Sequence, residues 1–417
     1  MNRDTGRIGH LVARRQEGRS LERDFYVLDE VYEAELDRIW MGSWLFAGHS
    51  CEVPEPGDYF TYDVAGSSVI LIRGDDGAVH GHHNVCRHRG TTLLSEASGR
   101  AGRIVCPYHQ WVYGRDGRLL SCRGMPEDLD RSSLGLRRVA VEEIEGLLFI
   151  SLADAPPAFD EARAQLAPYL KPQGFRKARV AKIVDYDVQA NWKLVWENNR
   201  ECYHCNVNHP QYIKANFDHF NADDTTSRVR DAIVTATARG EALWDSAGLA
   251  PTHRETGMTL FPEKHWFSAN RTVLVDGYVS ETMDGRQVAP LMGDYSRPDV
   301  GTLRIRALPN FWNHSSCDHG VSTRLTPAGK DRTHIRVTWV VDAKAVEGKD
   351  YRLDDLLPFW KLTSEQDWAL CEAVQRGVRS RGFQPGPFSP QKEYNVEGWV
   401  RWYLRQLSSA GSGEAGA

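Results

Sequence analysis

Between Asp29 and Trp44 the apolar residues Val31, Leu36, Ile39 and Trp40 recur at close to helical spacing. This predicts one amphipathic helix behind a polar arm that ends near Ser20. Beyond it the period drops to two. Short alternating runs at 59–64, 69–73 and 78–82 are separated by Ala-Gly-Ser and Asp-Asp-Gly turns. Further runs at 103–105, 111–113, 118–121, 138–142 and 147–151 continue the pattern, with Asp116-Gly117 as a hairpin turn. Together they predict a small antiparallel β domain over about 54–152, followed by an Ala155-Pro156-Pro157 linker.

The remainder reads as α+β. Helices are predicted at 159–170, 191–204, 364–378 and 395–407. A strand is predicted at 180–188, with weaker ones at 272–279, 301–307, 321–325 and 333–341. The tail 408–417 is disordered on composition. It contains Gly411-x-Gly413-x-x-Gly416, formally a dinucleotide fingerprint, but no strand leads into it, so the match is set aside.

Composition narrows the field. At 417 residues, 41% hydrophobic and 26% charged, the chain is an ordinary globular protein with room for two cores. A net charge of −5 gives no reason to expect nucleic acid or an anionic membrane as partner. No apolar run reaches membrane-spanning length, and the first residues lack a signal peptide's apolar core. Eight cysteines in so long a chain point to a reducing cytoplasm rather than a disulfide framework.

The cysteines that matter pair with histidines. Cys86-x-His88 and Cys106-x2-His109 are separated by seventeen residues. Two thiolates and two imidazoles from paired loops suit zinc or an iron–sulfur cluster. One Cys and one His per loop favours a two-iron cluster with both thiolates on one iron and both imidazoles on the other. A second constellation lies in ENNRECYHCNVNHP, residues 197–210. On a helix Glu201, His204 and Cys205 would share a face, and His209 follows five residues after His204. Two imidazoles converging with a carboxylate would suit an oxygen-activating iron(II). Cys202 and Cys205 bracket His204; without a βαβ context both are read as packing residues.

The CRHRG and CPYHQW loops together with ENNRECYHC resemble the α subunits of Rieske non-haem iron oxygenases, and the likeness covers nearly the whole chain. It implies an arm and helix over 1–43 packing on the catalytic domain, and a Rieske [2Fe-2S] domain over 44–155 held by Cys86, His88, Cys106 and His109. A helix-grip catalytic domain is implied over 156–407. Glu365, Asp367 and Glu372 all lie in TSEQDWALCEAVQRG. The position matching the family's third iron ligand is Asp367, beside His204 and His209. The resemblance also makes Glu201 a bridge from His204 to His109 of a neighbouring subunit, and so implies a homotrimer.

A glutamate there, with the segment DVGTLRIRALPNFWNH, is similar to the branch acting on quaternary amines, including betaine demethylases. The reaction implied is hydroxylation of an N-methyl group by O2, with release of formaldehyde. No flavin or nicotinamide motif is present, so NAD(P)H and flavin would act through a separate reductase. An oxygenase of aromatic acids would share every metal ligand. Candidate aromatic faces for a cation are Phe261, Trp266, Phe267, Tyr278, Tyr295, Phe311 and Trp312, and candidate carboxylate partners are Arg304, Arg306 and Asn313.

Overall fold

The computed structural model describes residues 3–217, 226–249 and 265–409; Phe261 and the tail glycines lie outside them. The polar arm is in part helical, with α1 (Arg3–Ala13), α2 (Asp24–Val27) and α3 (Asp29–Glu35), the last running on through a π-turn over Leu36–Trp40. The helix predicted over 29–44 therefore stops early, and Trp44 opens strand β1 (Trp44–His49). All six residues of β1 are buried, so it offers no alternation from which a strand could be read.

The β domain continues with β2 (Asp58–Val64), β3 (Ser67–Arg73), β4 (Val79–His83) and β5 (Ser98–Arg100). A small sheet follows, β6 (Ile104–Val105), β7 (Val112–Tyr113) and β8 (Leu119–Ser121), and then β9 (Arg138–Ile144) and β10 (Leu147–Ser151). The large sheet has the antiparallel order β1-β10-β9-β4-β3-β2-β5. Ile70 and Ile72 from it share a core with Ile104 and Tyr113 of the small sheet and with Trp111, and Cys86 and Cys106 sit in that same core.

The second half holds α4 (Asp160–Leu170), β11 (Ala178–Val188), α5 (Trp192–Asn199), α6 (Cys205–Asn208), α7 (Tyr212–Ala215) and α8 (Ser227–Ser246). Strands β12 (Phe267–Thr272), β13 (Thr302–Ala307), β14 (Phe311–Ser315), β15 (Gly320–Gly329) and β16 (Arg332–Asp342) follow. They form a six-stranded antiparallel sheet, β11-β16-β15-β14-β13-β12. Helices α9 (Leu353–Leu356), α10 (Pro358–Arg379) and α11 (Tyr394–Ser408) close the chain. The α+β class holds. Helix α10 starts six residues earlier than the pattern suggests, because Pro358 at its first turn fits the helix rather than breaking it. Strand β14, every residue buried, and helix α8, of whose described side chains only Ala236 and Trp244 are buried, escape the periodicity reading.

One buried polar knot fixes the start of α5. Glu35 and Lys193 are both 0% exposed and lie 2.6 Å apart. Glu35 also accepts hydrogen bonds from Trp192 Nε1 (2.7 Å) and Tyr403 OH (2.6 Å). The Lys193 ammonium sits 5.6–5.7 Å from the ring centres of Tyr26, Trp192 and Tyr403. The N-terminal segment and α11 therefore clamp the helix that leads into the second Cys/His constellation.

Candidate functional site

The two ligand loops of the β domain are copies of one turn. Cys86 N–H bonds Thr91 O (2.9 Å) and Gly90 N–H returns to Cys86 O (2.9 Å); Cys106 N–H bonds Trp111 O (2.8 Å) and Gln110 N–H returns to Cys106 O (3.1 Å). Each turn closes on a left-handed residue, Gly90 at φ 77° and Gln110 at φ 57°. Asn84 staples the first loop by accepting from Leu93 and Leu94 N–H, at 3.1 and 2.9 Å. Cys86 and Cys106 are 2% and 1% exposed, whereas His109 faces solvent. The His88 and His109 rings are 4.6 Å apart, and Trp111 stacks on His88.

One thiolate and one imidazole per loop, with both thiolates buried and His109 at the surface, suit a two-iron cluster with thiolates inside and imidazoles outside. Burial opposes ionisation of Cys106, but the Tyr108 and His109 amides, Cys86 and Thr91 prevail and lower its pKa, as a thiolate ligand requires.

The second constellation departs from the predicted helix. Asn191 caps α5 by accepting from Lys193 N–H (3.0 Å), and the helix ends at Asn199. Residues 201–203 are not helical, and His204 caps the single turn α6. The carboxylate of Glu201 causes the break in part, since one oxygen takes the Tyr203 amide and the other takes His204 Nδ1 at 2.6 Å. The Cys202 and Cys205 Cα atoms lie 5.0 Å apart, and the two are joined by a disulfide rather than serving as separate packing residues. The other six cysteines are free.

Three donors converge as the sequence suggests. His204 Nε2 and His209 Nε2 are 3.1 Å apart, and Asp367 Oδ1 lies 3.1 Å from the first and 3.0 Å from the second. An octahedral face with bonds of about 2.1 Å has edges of about 3.0 Å, while a tetrahedron of that size has edges of about 3.4 Å. The triangle fits the facial arrangement of a 2-His-1-carboxylate site. Glu365 and Glu372 do not join it: Glu365 pairs with Lys361 and Glu372 accepts from the Gln189 amide.

Burial disfavours a charged His204, yet the hydrogen bonds to Asp367 and Glu201 raise its pKa to about 10. Burial likewise raises Asp367, but His204 and His209 win and hold it below its usual value. Together the Asp367 and Glu201 carboxylates favour positive charge at this point. His209 is oriented from behind, with Nδ1 at 2.8 Å from Gln366 Oε1, which also accepts from Gln211 (2.9 Å). Neither glutamine was flagged by sequence, because an amide beside a ligand carries no signal of its own.

The triad opens into a cavity of about 290 Å³, at the small end of ligand pockets. Tyr212, Trp360, Asn270, Arg304, Arg306 and His314 line it together with the triad. Of the predicted aromatic candidates, the described ones do not line it. Trp266, Phe267 and Phe311 pack in the core beside α4, Tyr295 bonds Arg271, Trp312 lies between Trp196 and Trp368, and Tyr278 flanks the main core. Asn313 points to the other side of its strand and bonds Val321 O and Ser322. Tyr212 and Trp360 were missed, although they lie three residues after His209 and seven before Asp367, spacings that keep side chains on one side of a helical turn.

A family model described as the Rieske [2Fe-2S] domain matches residues 43–137, and one described as the ring hydroxylating alpha subunit (catalytic domain) matches 175–409. The chain is 41% identical to the glycine betaine monooxygenase oxygenase subunit of Chromohalobacter salexigens, over 97% of this chain and 89% of that one. It is 40% identical to the protein of that name from Pseudomonas aeruginosa, over 95% and 91%. Among solved structures, the quaternary ammonium Rieske monooxygenase CntA with L-carnitine superposes at TM-score 0.69 and 21% identity, covering 95% of this chain and 97% of that one. Naphthalene 1,2-dioxygenase with indole gives 0.66 and 23%, covering 95% and 94%, so the fold is shared across unlike substrates. The chain belongs to the Rieske oxygenase α-subunit family, an oxidoreductase with a [2Fe-2S] domain and a non-haem iron catalytic domain.

Proposed function

We propose that this enzyme oxidatively demethylates a small quaternary ammonium compound. The observation that carries the reading is the cavity: the iron triad opens onto the aromatic rings of Tyr212 and Trp360 within a small, mostly polar lining. A quaternary ammonium has no N–H to donate, so aromatic faces are what can hold it, at about 0.5–2 kcal/mol each. A pocket for an aromatic hydrocarbon would be lined with apolar side chains instead. The glycine betaine and carnitine monooxygenase names among the relatives support this reading.

In this assignment Cys86, His88, Cys106 and His109 hold the cluster, and His204, His209 and Asp367 hold iron(II). The iron, when bound, activates O2 with electrons delivered through the cluster from a separate reductase. Asp367 and Glu201 match the charge of the metal, so that end of the cavity does not repel a cation. Gln366 keeps the His209 proton on Nδ1, and Glu201 keeps the His204 proton on Nδ1, which directs both Nε2 atoms to the metal.

One N-methyl C–H becomes C–OH. The second oxygen atom leaves as water, taking two electrons and two protons. The N–CH2OH product then loses formaldehyde and a proton, leaving the demethylated amine.

The exposed His109 and the partly exposed Glu201 support electron transfer between subunits of a homotrimer. Six of the eight cysteines are free, which supports a cytoplasmic location; among the described residues no helix is long and apolar enough to cross a membrane.

The test is reductase-coupled turnover with glycine betaine, proline betaine, carnitine and an aromatic acid, comparing formaldehyde with O2 consumed. Stoichiometric formaldehyde from a betaine is expected. Peroxide alone from every betaine, with stoichiometric hydroxylation of the aromatic acid, overturns the reading. Glu201→Gln should keep both metal centres yet fail to reoxidise a reduced cluster when substrate and O2 are added. Normal single-turnover product from that variant removes Glu201 from the electron path.

A further inference from the structure

We propose that the cavity face of β12, β13 and β14 is a carboxylate-binding wall that selects a zwitterionic substrate. The proposal rests on the quaternary-ammonium reading of the cavity. Side chains alternate along a strand, so Thr302, Arg304 and Arg306 share one face of β13. Across the register Asn270 on β12 and His314 on β14 flank Arg304 on either side. Asn270, Arg304, Arg306 and His314 all line the cavity, whereas Leu303 and Ile305, which alternate with them, are buried in the core.

Two guanidiniums on the inner face of a sheet are costly to desolvate, and an apolar pair would make a more stable wall. What they offer is recognition of a planar anion. A guanidinium carries five N–H donors in a fork that matches a carboxylate. Arg304 also donates to Asn216 Oδ1 at 3.0 Å, which ties the wall to the segment after the second Cys/His constellation.

Behind the wall lies Glu281, 0% exposed, which accepts from Thr302 Oγ1 (3.1 Å) and sits 3.8 Å from His314 Nδ1. Burial pushes Glu281 up, but His314 and Arg304 prevail and keep it a carboxylate. Burial also holds His314 below its ordinary value despite Glu281. Among the described residues the wall thus combines two guanidiniums and the His314 imidazole with one buried acidic side chain set behind them. Glu281 is a positioning residue.

The wall is continuous with the iron site. Ring centres run from His209 to Tyr212 (6.4 Å), from Tyr212 to Trp360 (5.9 Å) and from Trp360 to His314 (4.3 Å). A molecule with its ammonium on Tyr212 and Trp360 therefore reaches His314 and Arg304 with its other end. A carboxylate a short methylene spacer away from the nitrogen meets the wall while an N-methyl faces the triad. A cation lacking the carboxylate loses that anchor.

The experiment compares holoenzyme and Arg306→Gln in reductase-coupled turnover of glycine betaine, tetramethylammonium and an aromatic carboxylic acid, with Arg306→Lys as the conservative control. Cluster absorbance and thermal melting report folding. The expected result is that the KM of glycine betaine rises about 30-fold in Arg306→Gln, at least about tenfold more than that of tetramethylammonium, and recovers in part in Arg306→Lys. If glycine betaine is demethylated but both compounds shift equally in Arg306→Gln, the wall is refuted and the quaternary-ammonium reading stands. If only the aromatic acid is hydroxylated and its KM depends on Arg306, the wall stands as a carboxylate site and the quaternary-ammonium reading falls. Should the variant not fold, the unmodified enzyme decides. A preference for glycine betaine over its methyl ester supports the wall, and equal use of the two refutes it.

Discussion

Replacing Glu35 by glutamine leaves the Lys193 ammonium beside an amide in a site where neither side chain is exposed. The glutamine oxygen can still accept from Trp192 and Tyr403, so packing and neutral hydrogen bonds are largely kept and the perturbation is the missing charge. Removing one partner of a buried ion pair costs about 3–5 kcal/mol. An independent ceiling comes from the lysine itself, which can shed its proton instead of remaining an unpaired cation. Neutralising a lysine at pH 7 against an unfolded-state value of about 10.4 costs about 4.6 kcal/mol. Burial already draws the Lys193 pKa down, and Glu35 is what holds it up. The expected loss is therefore about 3–4.6 kcal/mol at pH 7 by urea unfolding followed through tryptophan fluorescence. Its pH dependence is diagnostic. In the variant the folded state binds fewer protons than the unfolded one between the depressed folded pKa and about 10.4, so its stability rises with pH. Moving from pH 7 to pH 9 should restore up to about 2.7 kcal/mol relative to the unmodified protein. A penalty below about 1 kcal/mol, or an equal penalty at both pH values, would refute the claim that this charge pair anchors α5.

Asp367→Ala should lose the mononuclear iron and keep the cluster's visible spectrum, so metal analysis falls by about one iron per chain with labile sulfide unchanged. Loss of cluster colour as well would mean that the two sites are not independent. Gln366→Leu removes the acceptor that orients His209 and should weaken iron binding about 10–100-fold, read by chelator competition, with protein stability little changed. Unaltered affinity would show that packing alone sets the ring. Burial raises the carboxyl of Glu197 to about 7 despite Tyr26 and Lys193. Its neutral form is the one the fold favours, so this stabilisation is present below about pH 4.5 and is lost as pH rises through about 7, by at most about 3 kcal/mol. Glu197→Gln should flatten that part of the stability profile between pH 5 and 8; an unchanged slope assigns it to another group.

The groups proposed to hold metal could be picked out because their chemistry is carried by residue type and spacing: a Cys-His pair within four residues, and His204 five residues before His209. The backbone that presents them was less so. The helix predicted through His204 breaks at Arg200 because Glu201 caps the following turn, a contact from side chain to backbone that no apolar periodicity registers. Strands β1 and β14 are buried at every position, so the alternation that revealed β2 and β3 is missing from them. The cavity was the least legible part. Choosing Arg304 and Arg306 over Asn313 depends on which side of a strand faces inward, and strand parity was readable only once its partners were known.

That parity makes the chemistry of the cavity a matter of counting. On β13 the charged residues Arg304 and Arg306 alternate strictly with Leu303 and Ile305. Sliding the strand by a single residue against β12 and β14 would exchange the two sets, presenting an aliphatic ceiling to the iron and turning the guanidiniums toward the α4 side of the sheet. The proposed metal ligands stand on other elements, the segment after α5 and helix α10, and would not move with it. Within such a scaffold the distance between a zwitterion pocket and a hydrocarbon pocket is one peptide unit in the hairpin joining β13 to β14, with no ligand to iron altered.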